Sequence, residues 1–514
     1  KGAHVEKGLT PALAPTKGHM YGIAGDTWTL SISVSEADNL DFLPEAELSQ
    51  VIADELKEET LKSHQFLVDH YRWHSIMLAG GYYNSGKGFQ KVGMVCLLLE
   101  KFFGSEDMRT RECAEWLEIA FKCLYDKSSV PPYEKCHNTP PGSYYDQDWG
   151  GIASKDGWED PDCGADFGNS CYNDHHYHFG YFITSAAILA KLEPSYRTDA
   201  LFVDYINTLV RDTTNPSIED SHFPHFRMYD WFDLHSWSHG VQPMLDGKDQ
   251  ESISEELNLL YGLHLWGKIT GNFALTMLGA TMLALTVKTI QEFFLMETGN
   301  LYHPADFVKN HVTGVFFQGK VDYTTWFGAR PEFMHGIQMM PLSPALALAR
   351  SVDFCSQEWS DILGGLELDS MGQWASILLT GGLAMFEPEE AYRRLLKIEE
   401  TSMDHGLSRA WALYWTATRG GWFGTSSTLA AKAMRNRDPA SLLAPVSTQE
   451  PNAHIFEPRG KRPYHAPTHT ELNGPKATNK FWTNWLVETG PQQFPIYPMP
   501  YGLRWGPDAS RLEL

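Results

Sequence analysis

Basic residues are scarce in this chain of 514 residues: 41 Lys and Arg stand against 64 Asp and Glu, a formal net charge of −23. Nucleic acid and anionic membrane surfaces repel such a balance, so neither is expected as a partner. Long apolar runs are missing as well. The most apolar stretch, residues 273–287, is short and carries Thr276, Thr281 and Thr286, which suits a buried helix rather than a membrane span. The seven cysteines, at positions 96, 113, 123, 136, 163, 171 and 355, form no C-x-x-C pair, so no metal-ligand spacing is visible. Gly86-Lys-Gly88 lacks the rest of a Walker pattern. No fixed helical-repeat period recurs. No signal-peptide pattern is legible in the opening Lys1-Gly-Ala-His.

What is present describes a folded protein: 43% hydrophobic and 20% charged residues. The 17 Trp, 22 Tyr and 27 Phe leave two readings open. They fill a Trp-rich helical core, or some of them offer flat faces to the apolar C–H surface of a sugar ring. Cys96, Cys113 and Cys123 fall in apolar helical contexts and read as buried small hydrophobes. Cys136, Cys163 and Cys171 lie in Gly/Pro/Asp-rich sequence where a disulfide can staple the chain. The odd count leaves one thiol over, and the redox compartment stays open.

Alternation of Trp28, Leu30, Ile32 and Val34 with polar residues is the one clean strand signal. From Ala46 onward the apolar spacing turns helical. It predicts helices over residues 92–103, 113–124, 179–192, 202–210, 257–266, 273–294, 342–352, 374–386 and 407–417, among others. Ten to twelve helices with long connections suit an α-solenoid or an α/α toroid, not a doubly wound α/β sheet.

Two stretches carry chemistry. Asn173-Asp-His-His-Tyr-His178 sets Asp174 among His175, His176 and His178, and Gln250-Glu-Ser-Ile-Ser-Glu255 puts Glu251 and Glu255 four residues apart, on one face if helical. Three carboxylates from two elements suit glycoside hydrolysis: one acid protonates the leaving oxygen, while a carboxylate activates water or attacks the sugar. Blander readings stand beside this one. Asp174 is equally a helix cap, the histidines a metal cluster, and the glutamates, Glu256 included, a solvated helix face. Asp249 or Ser252 can cap the second helix, whose dipole favours ionised carboxylates in its first turn. Leu257, Leu260, Tyr261 and Leu265 form that helix's apolar face.

These stretches belong to an ordered series that resembles glycoside hydrolase family 81, endo-acting β-1,3-glucanases. It includes Trp149-Gly-Gly-Ile152, Asp166-Phe-Gly-Asn169, Leu209-Val-Arg-Asp212, Phe223-Pro224, His235-Ser-Trp237, Asp246-Gly-Lys-Asp-Gln-Glu251, Tyr261-Gly-Leu-His-Leu-Trp-Gly267 and His335-Gly-Ile-Gln-Met-Met-Pro341. The resemblance implies a mainly α fold: an (α/α)6 barrel over residues 81–437, preceded by a small α/β segment in 1–80, with the family's N-terminal β-sandwich largely absent. Pro-rich residues 438–475 read as a linker. Residues 476–514 resemble the opening of a second module's β-sandwich, as in a piece of a tandem array.

For chemistry the resemblance implies inverting, cofactor- and metal-independent hydrolysis of β-1,3-glucan by a monomer that is extracellular or in the cell wall. Asp174 takes the place of the family's proton donor, and Glu251 and Glu255 those of its active-site glutamates. Glu255 is assigned as the base and Glu251 as its helper, with the reverse open. Inversion calls for roughly 6.5–9.5 Å between acid and base. His178, Asp249, Tyr82, Lys87, Glu332 and His335 are expected to bind substrate. His235 and Trp237 either do so or pack the barrel mouth. Departures from the family pattern fall at Ile253, Glu256 and His239. A glucan-binding protein on the same scaffold is the competing reading, as is a toroid lyase or other polysaccharide hydrolase; the binder would not require all three carboxylates.

Overall fold

Helix starts follow the short polar side chains in the sequence. Ser49, Asp107, Asp199, Ser252, Asn272, Ser351 and Ser408 each accept a main-chain N–H of the first turn of a helix. In the computed structural model these helices are Gln50–Val68, Met108–Tyr125, Ala200–Thr214, Ile253–Thr270, Phe273–Thr289, Val352–Asp361 and Arg409–Ala417. Tyr82–Phe103, His175–Leu192, Gln373–Gly381 and Pro388–Leu395 complete the longer set, and the chain is mostly helical. The structure describes residues 34–419, except 131–135, 137–142, 160–162 and 243, together with short segments within 4–33 and strands within 504–513.

The Ile253–Thr270 helix lies at the centre of the core and is buried from Ile253 to Gly267. It packs against His175–Leu192 on one side and Phe273–Thr289 on another. Glycine makes the first contact possible. A Cβ on Gly262 would sit 2.5 Å from Thr184 Oγ1, and one on Gly180 would sit 3.0 Å from Leu259 Cα. Gln90 and Asn258 exchange amide hydrogen bonds of 3.0 and 2.9 Å, tying the Tyr82–Phe103 helix to the same centre. Phe273–Thr289 continues as a π turn to Phe294, the full extent its apolar spacing predicts; by length and composition it could span a membrane, but most of it is buried in the protein.

Three expectations need correction. Cys96 pairs with Cys113, and Cys123 with Cys136, so these helical cysteines are not simply small hydrophobes; Cys163 pairs with Cys171, and Cys355 is the free, buried thiol. Periodicity could not show that neighbouring helices bring the first pair face to face. Residues 342–352 are helical only at Leu346–Ala349 and at Val352, which opens the next helix, because Pro341 and Pro344 remove two N–H donors and bias the residues before them away from helix. Of the expected strand at 27–34, Ile32–Ser33 is extended, Val34 precedes a helical turn at Ser35–Asp38, and residues 25–31 lie outside the described residues.

Short strands escaped the sequence reading. Ser143–Asp146 pairs with Gly151–Ser154, and Tyr229–Asp230 with His235–Ser236. Asp249–Gln250 pairs with Val315–Phe317, in register Asp249 with Phe317, and Val315–Phe317 with Val321–Asp322. Elements of two to four residues are too short for alternation to register. The expected linker lies outside the described residues, as does most of 476–514. Within the latter, Arg511–Glu513 pairs with Arg504–Trp505 and with Ile32–Ser33.

Candidate active site

The helix His175–Leu192 delivers the first carboxylate from just before its start. Asp174 adopts left-handed backbone, φ 61°, a conformation that costs a non-glycine residue about 1 kcal/mol. Its main chain is anchored on both sides: the N–H donates to Ser238 O at 2.9 Å, and the carbonyl accepts from His178 N at 2.9 Å. Its side chain caps nothing. The carboxyl is thus left without a hydrogen bond inside the protein, among the described residues, and remains partly exposed. Strain at a fixed backbone with a free functional group is common where chemistry occurs.

The second pair comes from the end of one strand and the start of the next helix. Ser252 caps that helix, its Oγ accepting from Glu255 N at 3.4 Å. The helix begins at Ile253, so Glu251 precedes it in extended chain, and the two glutamates are not a helical i,i+4 pair. Glu251 is held separately. Its N–H donates to Tyr177 Oη at 3.1 Å, its carbonyl accepts from Gln338 Nε2 at 2.7 Å, and its Oε1 accepts from Trp326 N at 2.8 Å. Glu255 Oε1 accepts from Tyr181 Oη at 2.9 Å. Tyr181 lies on the helix that Asp174 immediately precedes.

Electrostatics separates these groups. The Asp174 carboxyl is pushed well above the ordinary range, first by burial and then by Asp249, Glu251 and Glu255. Some of its surface reaches solvent, yet dense protein around it makes desolvation the larger cause. Burial likewise raises Glu251 to about 7, opposed by Trp326 N–H. Burial raises Glu255 to about 7, opposed by Ser252, Lys87 and Tyr181. The helix start was expected to keep these glutamates ionised well below neutrality; loss of water outweighs it. The site thus sets one carboxyl whose proton is held more tightly than usual beside two that exchange protons near pH 7, the combination acid–base hydrolysis needs.

Glu256 corrects another expectation. It is buried, not solvent-facing: Oε1 accepts from Ser236 N at 2.5 Å, Oε2 from Gln250 Nε2 at 2.9 Å, and burial raises it to about 8. The histidines do not converge. His175 bonds Asp212 through Nδ1 at 2.5 Å and Asn169 O through Nε2 at 2.8 Å; His176 Nε2 bonds Gln250 Oε1 at 3.1 Å. His178 packs its ring against Tyr83 and Phe167, with a buried Nδ1 that has no partner, and burial lowers it to about 4.

The other expected residues divide into two groups. Asp249 is adjacent to the carboxylates, its Oδ1 accepting from His239 Nδ1 at 3.1 Å and its Oδ2 from Trp326 Nε1 at 3.0 Å. Lys87 lies behind Glu255, donating to Asp404 Oδ1 at 2.8 Å. Tyr82 is buried, its hydroxyl on Ser143. His235 and Trp237 are buried in an aromatic cluster with Phe316, and Trp237 Nε1 donates to Asp230 Oδ2 at 3.3 Å. Of their two readings the structure has the packing one; neither ring face is open to a sugar. Glu332 is buried against Arg330. His335 is buried between Tyr323 Oη at 2.9 Å and Glu358 Oε1 at 2.7 Å, away from any open surface. Sequence reasoning missed Tyr177, Tyr181, Gln338 and Trp326. Only Tyr181 carried a signal, its place on the helical stretch that follows Asp174.

Comparison with known proteins adds a lineage. Residues 59–413 match the Glycosyl hydrolase family 81 C-terminal domain. A glucan endo-1,3-beta-D-glucosidase of Arthroderma benhamiae is 34% identical over 413 residues, covering 78% of this chain and 44% of that protein. The primary septum glucan endo-1,3-beta-D-glucosidase of Schizosaccharomyces pombe is 34% identical over 337 residues, covering 65% and 32%. A solved glycoside hydrolase family 81 structure from Clostridium thermocellum shares the fold, with a TM-score of 0.59 at 18% identity over 81% of this chain and 60% of that one. The chain spans about half or less of the length of these curated relatives.

Proposed function

Because the chain belongs to glycoside hydrolase family 81, we propose that it hydrolyses internal β-1,3-glucosidic bonds of β-1,3-glucan, with inversion at the anomeric carbon. Asp174 gives its proton to the glycosidic oxygen as the C–O bond breaks. Glu255 takes a proton from water, whose oxygen attacks the anomeric carbon from the opposite face, and Glu251 positions that water. The products are an α-configured hemiacetal and a freed hydroxyl, and a second proton exchange resets both carboxyls.

The observation that carries this reading is the Asp174 carboxyl, whose hold on its proton is strengthened by burial and three neighbouring acids while it makes no hydrogen bond among the described residues. A protein that only bound glucan would gain nothing from it. The same membership supports arranging the helical core as an (α/α)6 barrel. An extracellular or wall location fits three disulfides, which form in oxidising compartments, and the septum in the name of the S. pombe relative.

Reducing-sugar release from laminarin by the chain, D174N and E255Q tests the reading. Each substitution is expected to lower turnover by about 10²–10⁴-fold with the fold intact. Proton NMR of fresh product should show the α-anomer first. Wild-type turnover in D174N would sink the assignment, and a β-anomer appearing first would sink inversion.

A further inference from the structure

Trp326 is 58% exposed, yet both its N–H groups are engaged inside the site. The main-chain N–H donates to Glu251 Oε1 at 2.8 Å, and the indole Nε1–H to Asp249 Oδ2 at 3.0 Å. The turn that carries it is pinned: Thr325 N and Oγ1 both donate to Gly328 O, at 2.9 and 2.6 Å, and Gly328 N returns a bond to Thr325 Oγ1 at 3.1 Å. Phe317, paired in register with Asp249, meets the indole edge-on at 5.9 Å and fixes its plane. A surface tryptophan with no role would not have its donors locked onto two members of the carboxylate cluster. With its only polar hydrogen occupied, the side chain offers solvent an apolar π face. A carboxyl acceptor on Nε1 also pushes electron density into that face. A β-glucosyl chair presents axial C–H bonds on each side, the complement such a ring attracts.

We propose that Trp326 is both platform and positioning residue of this site: its exposed ring takes the face of a glucosyl unit beside the scissile bond, while its two N–H groups fix Glu251 and Asp249. This rests on the glucanase reading. It explains why ring and acids belong together. A sugar seated on the indole is delivered to carboxylates that the same residue holds in place.

The test is calorimetric binding of laminarihexaose, with kcat and KM on laminarin, for the whole chain, W326F and W326A. W326A is expected to raise Kd and KM about tenfold and to lower kcat. W326F keeps a ring but loses the indole donor, so Kd should stay within about threefold while kcat falls about fivefold or more. A merely structural role would lower melting temperature without this split. Bound hexaose should also shield part of the wild-type tryptophan fluorescence from acrylamide, and that part should be missing in W326F, which settles the matter if W326A does not fold. Unchanged hexaose binding by a folded W326A, or no shielding in the wild type, overturns the platform alone. A wild type that neither binds nor cleaves the glucan overturns the glucanase reading and the platform with it.

Discussion

Two sets of buried carboxylates in this protein have opposite electrostatics. Glu358 is fully buried, but Arg350 and His335 close on its two oxygens. Burial alone would raise it, and the Arg350 guanidinium together with the His335 hydrogen bond outweighs that and holds it below the ordinary range. Asp212 is treated the same way by His175 and Arg227. Around Asp174 and Glu251 the charged neighbours are other acids, and around Glu255 the one cation, Lys87, does not offset burial; all three are pushed up. Both sets are closely surrounded by protein, although Asp174 and Glu251 keep some exposure; compensation differs. A carboxylate buried with its counter-charge is structural, while one buried against like charge is poised to move a proton.

Crossed substitutions test that division most strongly. E358Q leaves the buried Arg350 guanidinium unpaired and is expected to cost about 3–5 kcal/mol of stability, read by urea unfolding, with turnover per folded molecule retained. E255Q should do the reverse, abolishing turnover without loss of stability. If E358Q abolished turnover in folded protein, the two centres would not be separate.

The next effect is in the pH dependence of stability. Glu255 holds its proton up to about 7 in the fold and to about 4.3 when unfolded. Its burial therefore costs nothing at low pH and destabilises increasingly as pH rises through that window. Glu358, lowered in the fold, contributes stability above its unfolded value and loses it as pH falls through its folded value. E255Q should accordingly stabilise at pH 8, on the order of 1–3 kcal/mol, and be neutral at pH 4. E358Q should be most harmful at pH 8. Parallel unfolding curves at the two pH values check both signs; an E255Q that destabilised at pH 8 would contradict the raised value.

Glu256 gives the smallest effect and the finest distinction. It too is raised, to about 8, but both oxygens already accept hydrogen bonds from Ser236 and Gln250. At pH 7 it carries a proton, so E256Q should change kcat by less than about threefold and stability by less than about 1 kcal/mol. A large loss of activity would mean that elevation alone, not an unbonded carboxyl, marks a working group.

Much of this was legible in the chain. Ser252 announced its helix because a short polar side chain before an apolar stretch has one favourable use. Asp174, Glu251 and Glu255 were readable as three acids on two elements. The failures share a cause. His235, Trp237 and His335 were chosen by residue type and family pattern, but what they touch depends on which elements cover them. Trp326 escaped because nothing local in Thr325-Trp-Phe-Gly328 refers to residues 75 positions earlier. Cys96 and Cys113 looked like apolar filler because pairing depends on how two helices face each other.

The sequence by itself therefore determined that helices dominate, which of their faces are apolar and which residue types are available for acid–base work, since these depend on neighbours within a few positions. Only the tertiary structure decided which acids lack a counter-charge, which glutamate faces water and which aromatic ring stays open. Burial, and the proton affinities that follow from it, arise from segments brought together across the chain, and no local pattern encodes them.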